Sequence, residues 1–154
     1  MKGSSQKPHS RDLRKSRFSE TGRIYLITTT THLRHHWFGN LMHGRHVVRA
    51  LKRAESHAET LAYVVMPDHL HWLMQLGDNT DLSGVIRSIK SISARTLNLS
   101  LGRTGRIWQS GYHDHALRRD EDVKHIAGYV VANPLRAGLV ESIGDYSLWD
   151  ARWL

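Results

Sequence analysis

The tightest constraint in this chain is the alternation within residues 63–75: Tyr63, Val64, Val65, Met66, Pro67, Asp68, His69, Leu70, His71, Trp72, Leu73, Met74, Gln75. The pattern predicts a strand, a tight turn at Pro67 and Asp68, and a second strand. Successive side chains of a strand point to opposite faces. His69, His71, Leu73 and Gln75 therefore share one face of the second strand, and Leu70, Trp72, Met74 and Leu76 share the other. The second set is an unbroken apolar stripe that has to lie on a core. The first set puts two imidazoles at the opening end of the strand, roughly 7 Å apart along the chain, close enough to share one divalent cation. The simpler reading is a half-exposed strand whose polar face carries histidines.

The surrounding sequence predicts one α+β domain. Residues 24–31 are β-branched and aromatic, which suits a first strand. Residues 32–44 read as a loop carrying His32, His35, His36 and His43 at no consistent spacing, and a solvated or phosphate-facing role suits it better than a metal site. Val47, Val48, Leu51 and Ala54 repeat at helical spacing within residues 46–57. Residues 59–66 and 69–76 form the two strands of the hairpin. Residues 82–99 are the clearest helix, with Leu82, Val85, Ile86, Ile89, Ile92 and Leu97 on one side and Arg87, Lys90 and Arg95 opposite. Asp81 is its expected N-cap. A fourth strand is expected at residues 112–117. A final helix through Val123, Ile126, Ala127, Val130 and Val131 should end near Asn133, because Pro134 disfavours a helical residue before it. Residues 138–154 read as an irregular tail anchored by Leu139, Val140, Trp149 and Trp153. The order strand, helix, strand, strand, helix, strand, helix describes a ferredoxin-like antiparallel sheet with packed helices and one helix appended.

Charge narrows the partner. Lys and Arg number 22 against 14 Asp and Glu, a net charge of +8. Residues 1–23 hold seven of these cations against Asp12 and Glu20, a net +5, and residues 1–22 read as a flexible basic arm ahead of a single domain at 23–154. Residues 82–113 contain Arg87, Lys90, Arg95, Arg103 and Arg106 and no acid. Uncompensated runs of this kind favour phosphate contacts. The glycines around Arg103 and Arg106 do not make a P-loop, because the Gly-Lys-Ser/Thr end is missing. Trp108, beside this basic loop, is a candidate to stack on an unpaired base. The lack of cysteine excludes disulfides, thiolate metal sites and cysteine nucleophiles. No apolar run approaches the ~20 residues of a membrane span and no signal peptide is visible, so a cytoplasmic location is expected.

Tyr129 and Asn133 lie one turn apart on the same side of the final helix, at the edge of its apolar stripe. If that helix packs beside the strand of His69 and His71, the four side chains converge. Two imidazoles and an amide oxygen suit Mn²⁺ or Mg²⁺, and the imidazole pair tilts the choice toward Mn²⁺. Tyr129 would then be the nucleophile on a phosphodiester. Tyr112 is a weaker rival, since it belongs to a strand and has no polar partner at helical spacing. His113 and His115 form a second His-x-His, but Asp114 between them weakens the case for a buried alternate face. A DNA-facing or structural role suits that pair better.

Three segments now carry a resemblance. They are Val64-Val65-Met66-Pro67-Asp68-His69-Leu70-His71, then Ile107-Trp108-Gln109 with Tyr112-His113-Asp114-His115-Ala116-Leu117-Arg118, and Tyr129 followed by Asn133-Pro134-Leu135-Arg136-Ala137-Gly138-Leu139-Val140. In order and spacing they resemble the REP-associated tyrosine transposases, members of the HUH single-tyrosine transposases that act on single-stranded DNA. The resemblance covers roughly residues 20–145. It implies the HUH single-strand nuclease fold, with His69 and His71 as metal ligands and Asn133 as the polar third ligand. It implies that Tyr129 forms a covalent 5′-phosphotyrosine and frees a 3′-hydroxyl, next to hairpins of repetitive extragenic palindromes. Arg87, Lys90, Arg95, Arg103 and Arg106 are the candidate DNA contacts on charge alone. Gly128, directly before the nucleophile, departs from good helix-forming sequence and costs about 1 kcal/mol relative to alanine. Two other classes fit the same residues less fully: a non-catalytic binder of DNA or RNA hairpins, and a metal-dependent hydrolase of small phosphoesters. The catalytic reading requires the tyrosine and the imidazoles on one face of the sheet. The sequence is silent on oligomeric state.

Overall fold

Backbone pairing, more than local propensity, decides the architecture. The computed structural model describes residues 22–118 and 121–153. The predicted basic arm, residues 1–22, lies outside them except for Gly22. Five strands form one antiparallel sheet: β1 (Ile24–Thr30), β2 (Ala58–Met66), β3 (His69–Leu76), β4 (His113–Ala116) and β5 (Trp149–Ala151). Their spatial order is β4-β1-β3-β2-β5. The first four follow the split arrangement of a ferredoxin-like sheet, as expected. The helices are α1 (Leu41–Arg53), α2 (Leu82–Leu101), α3 (Val123–Val131) and the single turn α4 (Asn133–Arg136).

The β3 alternation does what the sequence predicts on one face. Leu70, Trp72, Met74 and Leu76 pack with Tyr25 and Ile27 of β1 against Val47, Ala50 and Leu51 of α1 and Leu82, Ile86, Ile89 and Leu97 of α2. Its other face is only partly polar. Leu73 is fully buried with Ala62, Ala127, Val131 and Ala151, and α3 continues over the histidine end of the sheet, where Val130 packs on Val64 and Met66. A shift in the β2–β3 register between Thr60 and Ala62 keeps both faces of β2 in step with this division. Before it, Thr60 accepts a bond from the indole of Trp72 at 2.9 Å; after it, Val64 and Met66 join the α3 face.

Several predicted boundaries move, each for a local reason. The first helix spans Leu41–Arg53 rather than residues 46–57, because the Asn40 side chain accepts from the Met42 amide at 2.9 Å and starts it early. Part of the predicted histidine loop is therefore helix. Asp81 caps α2 as expected, and Gly102 closes it in the left-handed conformation at φ 63°. Asp122 caps α3 by accepting from the Lys124 and His125 amides. That helix stops at Val131, and Pro134 sits in the first turn of α4, where its missing N–H is harmless. The predicted irregular tail contains β5, which pairs Ala62 with Ala151 and Val64 with Trp149. Three residues carry too little periodicity to announce a strand; the open edge of β2 makes it one. Trp149 anchors the tail as expected, half-buried against the core, and Leu148 joins it, whereas Leu139 is 48% exposed and Trp153 is 38% exposed.

Candidate active site and nucleic-acid interface

His69 and His71 stand at the turn end of β3, on the α3 face. Their rings meet edge to face with centroids 4.7 Å apart. The Nδ1 of His69 bonds to the Asp68 carboxylate at 2.7 Å, and the Nδ1 of His71 lies 3.0 Å from the Thr28 hydroxyl. Thr28 reaches His71 because the β1–β3 register sets the two residues directly opposite each other. Engaging Nδ1 in this way fixes ring orientation and leaves Nε2 as the donor, as in histidines that bind metals. Asp68 also accepts from the Arg34 guanidinium at 2.9 Å. Burial would raise the Asp68 carboxyl, but the bonds from His69 and Arg34 outweigh it and hold the group below its ordinary value. His71 is pushed down to about 4 by burial first, and then by the neighbouring charges of His69 and Arg136. It is a neutral imidazole at physiological pH, the form that donates to a cation.

Helix α3 brings Tyr129 to this face. Val130 is 2% exposed and packs with Val64 and Met66. Those two are the cross-strand partners of His71 and His69. Tyr129 is 60% exposed. The other four tyrosines are engaged elsewhere: Tyr25 is fully buried, Tyr63 and Tyr146 are pushed up to about 12 by burial, and the Tyr112 hydroxyl lies 2.8 Å from Ser83. The Tyr146 hydroxyl donates to the Val65 carbonyl at 2.6 Å. Asn133 is half-buried at the start of α4, across the junction at Ala132 from Tyr129. Arg136, the last residue of α4, lies over the Tyr129 ring at 3.6 Å and donates to the Tyr129 carbonyl at 2.7 Å. Nothing lies within 4 Å of a Cβ built on Gly128, so close packing is not what this glycine serves.

Among the described residues no three His, Asp or Glu side chains are grouped to hold an ion. A cation on the two imidazoles would therefore need oxygen donors of another kind, such as an amide or a phosphate. The engaged Nδ1 atoms of His69 and His71 fit the imidazole part of such a donor set, for which the sequence offered Asn133 as the amide.

The basic residues divide differently. Helix α2 lies on the opposite face of the sheet from the imidazoles. Arg87 and Arg106 line a groove of about 580 Å³ between α2 and residues 105–112. A smaller hollow of about 330 Å³, lined by Thr28, Thr30, Gln109, Ser110 and His113, opens on the imidazole side of the same segment. Lys90 donates to the carbonyls of Gln109 and Gly111, each at 2.7 Å, and so ties that segment to α2. Arg103 lies 4.5 Å over the Trp37 ring and donates to Asn98 at 2.7 Å. Arg95 is exposed further along α2. Trp108 corrects the sequence reading: it is 5% exposed, stacks near Phe38 and donates to Ser93 at 3.0 Å, so it offers no face to a base. His113 is exposed opposite Thr28, and His115 bonds to the Glu121 carboxylate at 3.0 Å. Thr28, Arg34 and Arg136 went unassigned from sequence. Only the strand register could single out Thr28 from its run of four threonines, and Arg136 was legible only as part of a motif.

Comparison with known proteins bears on the family and the fold. Residues 21–133 match the family described as "Transposase IS200 like". The chain is 33% identical over 104 residues to the REP-associated tyrosine transposase of Escherichia coli (strain K12), covering 66% of this chain and 59% of that protein. It is 34% identical over 98 residues to a Haemophilus influenzae relative, covering 57% of this chain and 56% of the relative. The chain thus spans just under three fifths of the length of these curated relatives. A solved structure of a REP-associated tyrosine transposase bound to a REP hairpin superposes with a TM-score of 0.68 at 26% identity, over 86% of this chain and 79% of that one. No helix among the described residues is long and apolar enough to cross a membrane. With the family match running from β1 to the start of α4 and a structural relative superposing over 86% of the chain, this chain belongs to the IS200-like transposase family.

Proposed function

We propose that this protein cleaves and rejoins single-stranded DNA beside a hairpin, through a covalent link to Tyr129. One observation carries the reading: the exposed tyrosine sits on the helix whose next residue packs on the cross-strand partners of His69 and His71. The hairpin is taken from the structural relative, which is bound to one.

His69 and His71, with Asn133, would hold a divalent cation, Mn²⁺ or Mg²⁺. When bound, such an ion polarises the scissile phosphate and orients it for in-line attack. The chain's own residues do the rest. Asp68 and Thr28 engage Nδ1 of the two rings and leave Nε2 to serve as the donor. Arg136 steadies the Tyr129 ring and places positive charge over it. The Tyr129 oxygen attacks phosphorus and gives up its proton. The bond from phosphorus to the 3′-oxygen breaks, and that oxygen takes up a proton to become a free 3′-hydroxyl. The product is a 5′-phosphotyrosine, and reversal with a different 3′-hydroxyl rejoins strands. Arg87 and Arg106 are proposed to hold backbone phosphates, with Arg95 further along α2.

The test is an oligonucleotide hairpin with a single-stranded flank, incubated with Mn²⁺. An SDS-resistant protein–DNA adduct is expected, lost on Tyr129→Phe and in EDTA. A gel shift of the hairpin with no adduct and no metal requirement would instead identify a binder without catalysis. Turnover of a chromogenic phosphodiester without DNA would point to a small-molecule phosphoesterase.

A further inference from the structure

The loop between β1 and α1 holds one apolar side chain out in solvent at a conformational cost. Leu33 is 83% exposed, more than any other large hydrophobic side chain among the described residues. It has φ 56° and ψ 23°, and Arg34 after it also has φ 56°. Two consecutive residues with Cβ atoms in the left-handed region are disfavoured, and they persist only where the surroundings dictate them. Here the surroundings do. The Thr31 amide donates to the Asp68 carbonyl at 2.9 Å, and the Thr31 hydroxyl donates to the His35 carbonyl at 2.7 Å. The His32 amide donates to the Ile107 carbonyl at 2.9 Å, and the Phe38 amide to the Pro67 carbonyl at 3.0 Å. Arg34 closes the clamp on the Asp68 carboxylate. That carboxylate also holds His69, so the Leu33 loop and the imidazole site share one residue.

The neighbourhood suits a polyanion. Arg34, His35 and His36 are exposed around Leu33, the rings of His35 and Trp37 lie 4.3 Å apart, and Arg103 covers Trp37. A rigidly presented apolar tip inside a cationic, aromatic collar matches the side chains that enter a base step and unstack it. We propose that Leu33 is a wedge that inserts at the foot of the DNA hairpin, parting the last base pair where the stem meets the single strand. The inference rests on the proposed function, which supplies the hairpin and the unpaired strand beside His69.

The wedge is tested with a hairpin carrying 2-aminopurine at its foot base, bound to full-length Tyr129→Phe so that no cleavage intervenes. Binding should raise the fluorescence several-fold. Adding Leu33→Gly should remove at least half of that rise and weaken binding to the paired hairpin about tenfold. Binding to a hairpin with a mismatched foot pair should change less than twofold. Glycine accepts positive φ without strain, so this variant removes the side chain while keeping the loop folded; Leu33→Ser, whose thermal midpoint is checked in parallel, should give the same pattern. An unchanged fluorescence rise in both variants, or equal losses on paired and mismatched hairpins, would overturn the wedge while leaving hairpin binding and adduct formation by the parent protein intact. Failure of the parent chain to bind any hairpin would overturn the functional reading and the wedge together.

Discussion

The guanidinium of Arg136 lies 3.6 Å from the centre of the Tyr129 ring and donates to the carbonyl of the same residue at 2.7 Å. One side chain thus grips the tyrosine at both its backbone and its ring, and it is also one of the charges that depress His71. The contact spans the break between α3 and α4, so it substitutes for helix continuity at the proposed nucleophile.

Removing this grip should separate positioning from stability. A cation over an exposed ring is worth only about 0.5–1 kcal/mol, so Arg136→Ala should unfold with nearly the parent midpoint. Adduct formation should slow by about 10–100-fold while hairpin affinity changes little. Arg136→Lys should recover part of the rate, since it keeps charge but loses the planar fork. Single-turnover adduct kinetics beside a binding isotherm check this.

Asp68 should behave as the support of the cation site. Asp68→Asn keeps the shape but removes the charge that accepts from His69 and Arg34. Outer partners of metal-binding histidines typically contribute about 10–100-fold in affinity. Titration calorimetry with Mn²⁺ should show a loss of that size, and an unchanged affinity would remove Asp68 from the site.

Acid should destabilise the metal-free protein through His71. Its folded value is about 4 and its ordinary value is 6.5. Above 6.5 both states are neutral and the fold keeps its full stability. As pH falls from 6.5 toward 4, the unfolded chain takes up the proton first, so stability is lost across that window and levels off below it. At 1.36 kcal/mol for each unit, the loss from this group is on the order of 3 kcal/mol. His71→Gln should flatten the slope between pH 7 and 4 in denaturant titrations run with EDTA.

The cations near α2 should fall into two classes. Arg87→Ala and Arg106→Ala should each weaken hairpin binding and lower the salt slope by about one, as expected for a lost phosphate contact. Lys90→Met should instead lower the unfolding midpoint, because the Lys90 ammonium bridges two carbonyls of the segment that separates the two hollows. Salt-dependent binding curves and thermal melts sort the three.

Much of this protein was readable before any fold was known, and for a physical reason. Alternation in β3 and the apolar stripe of α2 are local periodicities, and the backbone's two repeats convert them directly into faces. Spacing was local too, so His69 with His71, and Tyr129 with Asn133, stood out as pairs. Tertiary structure decided what no local pattern encodes. It opposed Thr28 to His71, set α3 over the imidazole face, folded Trp108 into the core, turned Lys90 onto backbone carbonyls, and made a strand of Trp149–Ala151. Each of these depends on a partner far away in sequence. Which strand lies beside which, and which cation finds a carbonyl rather than a phosphate, is set only when the sheet closes and the helices choose their sides.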